Sequence, residues 1–199
     1  MAGLRIGILG SGKGSNCRAI LERIREGTLA AEPRIVIGDV ESAGILDIAK
    51  EFGVPAAYVP PGKFRTRLEP EAEQLLVDTL RGAGVELVVL AGFMRVLKSP
   101  TLDAFPHRII NIHPSLLPKF PGLEAWKQAL DANERVTGCT VHYVDAGIDS
   151  GSIIAQHEVP ILPNDTAESL HARIQIAERE LYPEVIAKLS ASAAANQER

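Results

Sequence analysis

A carboxamide and an imidazole two positions apart, Asn111 and His113, close an apolar run and lead into Pro114-Ser115-Leu116-Leu117-Pro118. Side chains of a strand alternate between its faces, so these two share one face. The proline after His113 holds that residue extended. An amide can donate to an oxygen that gathers negative charge, and an imidazole can shuttle a proton; together they suit acyl transfer. Asp149 lies in the polar loop Asp145-Ala146-Gly147-Ile148-Asp149-Ser150-Gly151. Near His113 its carboxylate would favour the imidazolium and raise its pKa. Taken alone, an aspartate in a Gly/Ser loop is a turn former. Ser115 is close to the pair, but nothing marks an activating base for it. Among the other histidines, His107 precedes a strand and His157 and His171 read as surface residues. His142, beside Thr140 in a strand-like stretch, has the best claim to more than a structural role.

The second chemical feature is the turn Gly10-Ser11-Gly12-Lys13-Gly14-Ser15-Asn16, between a strand and a helix. A glycine-rich turn at a helix N-terminus offers free N–H groups and the positive end of the dipole, which suits a phosphate. The dinucleotide fingerprint requires a third glycine where Ser15 stands. The Walker A pattern requires Ser or Thr where Gly14 stands, and places its first glycine, Gly7, inside the strand. Both patterns fail, and a generic anion cradle remains, with Ser15 and Asn16 adding side-chain donors. Asp39, just after the second strand, occupies the place of a ribose-binding acid; Ser15 counts against that nucleotide-binding alternative.

The elements that must position these residues alternate from the start. Leu4–Leu9, Arg34–Ile37, Ala56–Val59 and Leu87–Ala91 read as strands, the last apolar enough to be central. A helix runs from Asn16 with Cys17, Ile20, Leu21 and Ile24 on its inner stripe, and Gly27 can stop it. Gly44–Phe52 is a second helix. A third opens near Pro70 with Ala72, Leu75, Leu76, Thr79 and Leu80 on one face. Ile109–Ile112 is a further strand, Gly122–Ala132 a helix, and Thr137–Val144 and Ser152–Ile161 two more strands. The final helix opens with Asp165 and Glu168 as a capping-box variant, Pro183 should kink it, and the tail should fray from Ser190. This pattern predicts an α/β fold: a Rossmann-like, mostly parallel twisted sheet with helices on both faces and antiparallel additions in the C-terminal half. It predicts one domain over 1–199, with a substrate-binding lobe over 1–100, a catalytic lobe over 101–190 and a frayed tail over 191–199.

Composition narrows the classes. The 199 residues are 46% hydrophobic and 23% charged with net charge −4, enough apolar content for a sizeable core. No apolar run approaches the ~18 residues of a membrane span, and no secretory signal opens the chain. Cys17 and Cys139 read as buried small hydrophobes, too few for a disulfide framework or a zinc cluster. No histidine pair has ligand spacing, so no metal is expected. Mild acidity argues against nucleic-acid binding. A reduced, cytoplasmic protein is expected.

Taken together, these segments resemble the phosphoribosylglycinamide formyltransferases, folate-dependent enzymes of de novo purine synthesis, over about residues 4–190. The resemblance is carried by Gly14-Ser15-Asn16, by Ala91-Gly92-Phe93-Met94-Arg95-Val96-Leu97, by Asn111–Gly122 and by Gly138–Gly151. The Asn-x-His-Pro-Ser-Leu-Leu-Pro run is shared more widely among formyl-folate enzymes, so it marks the chemistry; the first loop marks the acceptor. The resemblance implies formyl transfer from 10-formyltetrahydrofolate, as co-substrate and without a metal, to the amine of phosphoribosylglycinamide. It implies Asn111, His113 and Asp149 as the catalytic trio, Gly14, Ser15 and Asn16 around the phosphate, and Glu178 at the glycinamide. Arg67, in Phe64-x-x-Arg67, would contact the folate. Met94, Arg95, Val96 and Leu97 would line the pterin pocket, where Asn111 also reaches, and Ala146, Gly147, Ile148 and Asp149 would cover it. Small-molecule partners are implied, with no nucleic acid or membrane, in a monomer or homodimer. Gly38–Ser42 departs from the pattern, and the chain stops early at its C-terminus. Formyl-folate hydrolases and methionyl-tRNA formyltransferases are disfavoured by length, because each is expected to carry an additional domain.

Overall fold

The computed structural model describes residues 3–197. Three parallel strands open the chain: β1 (Leu4–Gly10), β2 (Ala31–Gly38) and the short β3 (Ala56–Tyr58), linked by α1 (Ser15–Arg25) and α2 (Gly44–Glu51). α3 (Pro70–Gly82) carries the chain back to β4 (Leu87–Leu90), which pairs with the other side of β1. α4 (Ser99–Ala104) then leads to β5 (Ile109–His113), parallel to β4. After α5 (Ala125–Asp131), β6 (Val136–Tyr143) and β7 (Ile153–Pro160) add as antiparallel strands, and α6 (Ala167–Gln197) closes the fold. The sheet has the order β3-β2-β1-β4-β5-β6-β7. The strand order therefore reverses between β1 and β4, where the loops leaving two neighbouring strands diverge and open a crevice.

Alternate residues of each inner strand feed opposite layers. Ile8, Val36, Val89 and Ile110 pack with Ile20, Ile45 and Ile174 in one core. Leu9, Ile37, Val88 and Ile109 pack with Leu76, Leu80 and Phe105 in the other. Both faces of β4 are buried, which explains its unbroken apolar sequence and its central place. α3 begins at Pro70, where a missing N–H is harmless, with Glu71 and Glu73 in its first turn beside the positive helix end.

Several expectations shift. The inner stripe of α3 is Ala72, Glu73, Leu76, Val77 and Leu80, while Leu75 is 48% exposed. The Glu73 carboxylate turns inward to accept from the Lys98 N–H at 2.5 Å and the Thr101 hydroxyl at 3.0 Å, anchoring α4, an element the sequence reading omits. The capping box of α6 lies one residue later than expected: Thr166 and Ser169 exchange N–H-to-hydroxyl bonds at 3.0 and 3.2 Å. Asp165 instead accepts from the Leu162 N–H and pairs with Arg173. α6 runs through Pro183 as one element and reaches Gln197, past the expected fraying point. The Ser190 hydroxyl there bonds the Ala30 carbonyl and accepts from the Leu4 N–H. Residues 198 and 199 of the expected tail lie outside the described residues.

Tyr182 fastens α6 to the strands beneath it. Its fully buried hydroxyl lies 2.9 Å from the Leu90 carbonyl and 3.0 Å from that of Ile110. Tyr182→Phe leaves both carbonyls without this partner and is expected to cost about 1–2 kcal/mol. The urea midpoint should fall at unchanged slope; an unmoved midpoint would contradict the assignment.

Candidate active site

Asn111 and His113 end β5 at the carboxyl edge of the parallel strands, beside the crevice. The antiparallel register sets His142 of β6 opposite Asn111 and Thr140 opposite His113. Asn111 Nδ2 lies 3.2 Å from His142 Nε2, and His142 Nδ1 lies 2.8 Å from the Tyr143 carbonyl. A carbonyl only accepts, so Nδ1 carries a proton, and Nε2 accepts from the Asn111 amide. One N–H of that amide is thereby spent on orientation and the other is left for a ligand.

His113 is buried between two acceptors. Its Nε2 donates to the Phe120 carbonyl at 2.8 Å, and its Nδ1 lies 3.3 Å from Asp149 Oδ2. Burial pushes the imidazole below its ordinary value, and the opposing pulls of Asp149 and the Phe120 carbonyl do not make up the difference. The expected rise is therefore overturned: desolvation of the cation outweighs the nearby carboxylate. Asp149 is held below its usual range. Burial works against that, but the Gly122 N–H at 2.8 Å and the charge of His113 prevail. Asp149 Oδ1 lies 3.6 Å from His142 Nε2, so one carboxylate faces both rings.

Loop geometry makes this convergence possible. Asp149, Phe120 and Glu124 have φ of 51, 57 and 52° and Gly122 has 84°. Such left-handed backbone is uncommon for residues with a Cβ and persists only where surroundings enforce it. It also explains why α5 starts at Ala125 rather than Gly122: the intervening residues are bent to hand the Gly122 N–H to Asp149. Gly151 closes the Asp149 loop where any Cβ would lie 1.8 Å from the Tyr143 carbonyl. The turn after β5 is held by Thr140, whose hydroxyl donates to the Ser115 carbonyl at 2.7 Å and accepts from the Leu117 N–H at 3.0 Å. Ser115 donates its hydroxyl to the Lys119 carbonyl at 2.6 Å, so it is a turn fastener with no adjoining base. Cys17 and Cys139 are buried and pushed up to about 12, which makes both thiols inert.

The first loop meets the same crevice. Gly14, at φ 76°, caps α1 and packs so tightly on α2 that a Cβ would lie 2.9 Å from the Ile45 Cα. Ser15 opens α1, and Asn16, one residue on, donates from Nδ2 to Glu178 Oε2 at 3.0 Å. Asn16 Oδ1 is buried without a hydrogen-bond partner among the described residues. Burial pushes the Glu178 carboxyl up to about 7 against the Asn16 bond. Glu178 lies one turn before Tyr182 on α6, and Tyr182 bonds the carbonyl preceding Asn111. The cradle and the trio are thus joined through one face of α6.

The 94–97 segment divides. Met94 is 58% exposed, and its N–H donates to the Ser11 hydroxyl at 2.8 Å. The Val96 N–H donates to the Thr66 carbonyl at 2.8 Å. The Leu97 side chain is buried in the core and supports the loop from beneath. The Arg95 guanidinium turns inward to Asp39, which commits the Asp39 carboxylate to an ion pair. Arg67 is exposed, stacks 4.1 Å over the Phe64 ring and borders a cavity of about 670 Å³ with Lys63 and Lys98. Ala146, Gly147 and Ile148 are exposed on the loop before Asp149. The sequence reading left His142 and the Phe120 carbonyl out of the site; alternation with Thr140 on a strand antiparallel to β5 was the available signal for the former.

A doubly wound sheet carrying an amide, an imidazole and a carboxylate at its carboxyl edge, beside a glycine-rich first loop, defines a group-transfer enzyme fold. Residues 4–186 match the formyl transferase family, and the chain belongs to it. It is 40% identical over 185 residues to the phosphoribosylglycinamide formyltransferase of Bacillus subtilis, covering 93% of this chain and 94% of that protein. It is 45% identical over 191 residues to the trifunctional purine biosynthetic protein adenosine-3 of Drosophila pseudoobscura pseudoobscura, of whose length it spans only 14%. The crystal structure of glycinamide ribonucleotide transformylase 1 from Symbiobacterium toebii superposes with a TM-score of 0.91 at 46% identity, covering 96% of this chain and 89% of that one. No helix among the described residues is long and apolar enough to cross a membrane, and no cluster of three or more His, Cys, Asp or Glu among them could hold a metal.

The buried Glu178 gives a pH signature. Its folded pKa, about 7, exceeds the ordinary 4.5, so the native state holds a proton that the unfolded chain releases. Stability from this group is complete below about 4.5 and is lost as pH rises through about 7. Glu178→Gln should therefore gain on the wild type by about 3 kcal/mol between pH 4 and pH 8. Denaturant titrations at the two pH values check this; an equal difference at both would rule it out.

Proposed function

We propose that this chain transfers a formyl group from 10-formyltetrahydrofolate to the amine of phosphoribosylglycinamide, in the cytoplasm and with these small molecules as its partners. The observation that carries the reading is the placement of Asn111 and His113 side by side, oriented by His142 and Asp149, in a chain of the formyl transferase family. Gly14, Ser15 and Asn16 take the phosphate at the N-terminus of α1, with Glu178 beside the glycinamide. Met94 and Ile148, both exposed, flank the space for the flat ring of the formyl donor.

The neutral amine attacks the formyl carbon. The new nitrogen–carbon bond forms first and gives a tetrahedral adduct; the bond to the folate nitrogen then breaks, and the proton lost by the amine passes to that nitrogen. Charge gathers on the formyl oxygen in between. The free N–H of Asn111 and the Nε2–H of His113 donate to it, and Asp149 supports positive charge on the imidazole. To do so, His113 Nε2 exchanges the Phe120 carbonyl for the formyl oxygen. Because that carbonyl fixes a proton on Nε2 whether or not the ring is charged, the depressed pKa of His113 leaves its donor in place.

The decisive assay mixes the protein with 10-formyltetrahydrofolate, with and without phosphoribosylglycinamide. Formylated product that requires the acceptor supports transfer; formate released without it means hydrolysis. Asn111→Ala and His113→Ala should each lower kcat by about 10²–10³ while leaving the acceptor KM nearly unchanged. Turnover near normal in His113→Ala would remove its assigned role. The rate should also fall at acid pH as the attacking amine protonates, which a pH profile of kcat/KM reads directly.

A further inference from the structure

Arg95 is the most heavily committed cation in the described chain. Its Nε donates to Asp39 Oδ2 at 2.6 Å, and its Nη1 donates to the carbonyls of Phe64 and Arg65 at 2.7 and 2.5 Å. Asp39 follows the last residue of β2, and its side chain is 1% exposed; that of Arg95 is 15% exposed. Three separate segments therefore meet at one guanidinium: the end of β2, the 64–67 loop and the 94–97 loop. The two loops also join directly, through the Val96 N–H to the Thr66 carbonyl and the bridge between Arg67 and Val96. The far side of the 94–97 loop is tied to the first turn, where Ser11 donates its N–H to the Gly92 carbonyl at 2.9 Å and its hydroxyl accepts from Met94.

We infer that Asp39 and Arg95 form a clasp that positions both walls of the formyl-donor pocket, and that the Arg95 guanidinium acts as a positioning group within it. This rests on the reading of the site given above. Three of the five guanidinium N–H groups are spent on protein acceptors, in a planar fork that lysine cannot reproduce. Asp39 fixes the direction of that fork. It has no other assigned partner among the described residues, and its Oδ1 is buried without one. The clasp also places Arg67. It holds the Phe64 carbonyl while the ring of Phe64 carries the exposed Arg67 guanidinium.

The experiment compares the wild type with Asp39→Asn, Arg95→Gln, the double variant and Arg95→Lys. The donors are 10-formyltetrahydrofolate and its pteroate counterpart, which lacks the glutamate tail. A positioning role predicts that each single variant raises the donor KM about tenfold, with kcat and the acceptor KM within about twofold of wild type, and that the double variant is no worse than either single one. The increase should persist with the tail-less donor. If Arg95 touched the tail, the effect of Arg95→Gln would vanish with that donor, and the inference would be wrong. Amide hydrogen exchange supplies a readout independent of activity: the Val96 N–H should exchange at least about tenfold faster in Asp39→Asn and Arg95→Lys, while amides of β1 and β4 keep their protection. Unchanged exchange at Val96 in the folded Arg95→Lys protein overturns the clasp even if the enzyme proves to use another donor. Faster exchange in a protein that never accepts 10-formyltetrahydrofolate would leave the clasp standing and remove only the donor.

Discussion

The carboxylate of Asp149 joins segments that the chain keeps far apart. One oxygen accepts the Gly122 N–H and faces His113, and the other faces His142. The loop after β5, the strand β6 and the loop before β7 are thereby referred to a single group. A half-buried carboxylate is costly unless its lone pairs are met; here the Gly122 N–H meets one oxygen, and His113 Nδ1 can join it when the ring is charged. The left-handed backbone at Asp149, Phe120, Gly122 and Glu124 follows from this convergence, because relaxed loops would carry the Gly122 N–H elsewhere. Strain in those loops is the counterpart of order at His113.

Helix α6 performs the corresponding task for the first loop. Glu178 reaches Asn16 beneath the first loop, Tyr182 reaches the carbonyls of β4 and β5, and Ser190 reaches the chain between α1 and β2. All three contacts are polar and buried, on a helix whose remaining inner face is apolar. Their net contribution to stability is modest, since each replaces bonds to water, but each becomes expensive if one partner is lost. They fix how far the cradle stands from Asn111 more firmly than apolar packing, which is non-directional.

Much of this was legible in the residues. Alternation of periods gave the parallel half, and the apolar Leu87–Leu90 stretch its central place, because burial on both faces leaves no polar position in a strand. The shared face of Asn111 and His113 followed from strand geometry alone. What could not be read depends on contacts between distant segments. The inward turn of Glu73 makes sense only once α4 is seen to need its carboxylate. That the Arg95 guanidinium pairs with Asp39 is likewise invisible, since no local pattern links residues on different loops. The direction of the His113 shift was misread for a similar reason: the carboxylate is visible in the sequence, whereas the desolvation that outweighs it depends on packing from several elements.

Under the proposed transfer, the Phe120 carbonyl also sets what His113 can gain from the formyl oxygen. A buried imidazole N–H with no acceptor would cost about 1–3 kcal/mol, and an empty site with such an orphan would rearrange. Phe120 satisfies the donor at 2.8 Å and thereby preserves both its tautomer and its direction. Replacing one neutral carbonyl oxygen by another, that of an unreacted formyl group, gains His113 little. Replacing it by an oxygen that carries developing charge gains more, since bonds to charged acceptors are roughly twice as strong. The exchange thus favours the transition state over the bound substrate, the condition under which binding energy raises kcat. Asn111 works under the same rule: His142 takes one of its N–H groups permanently, and only the other can respond to the charge.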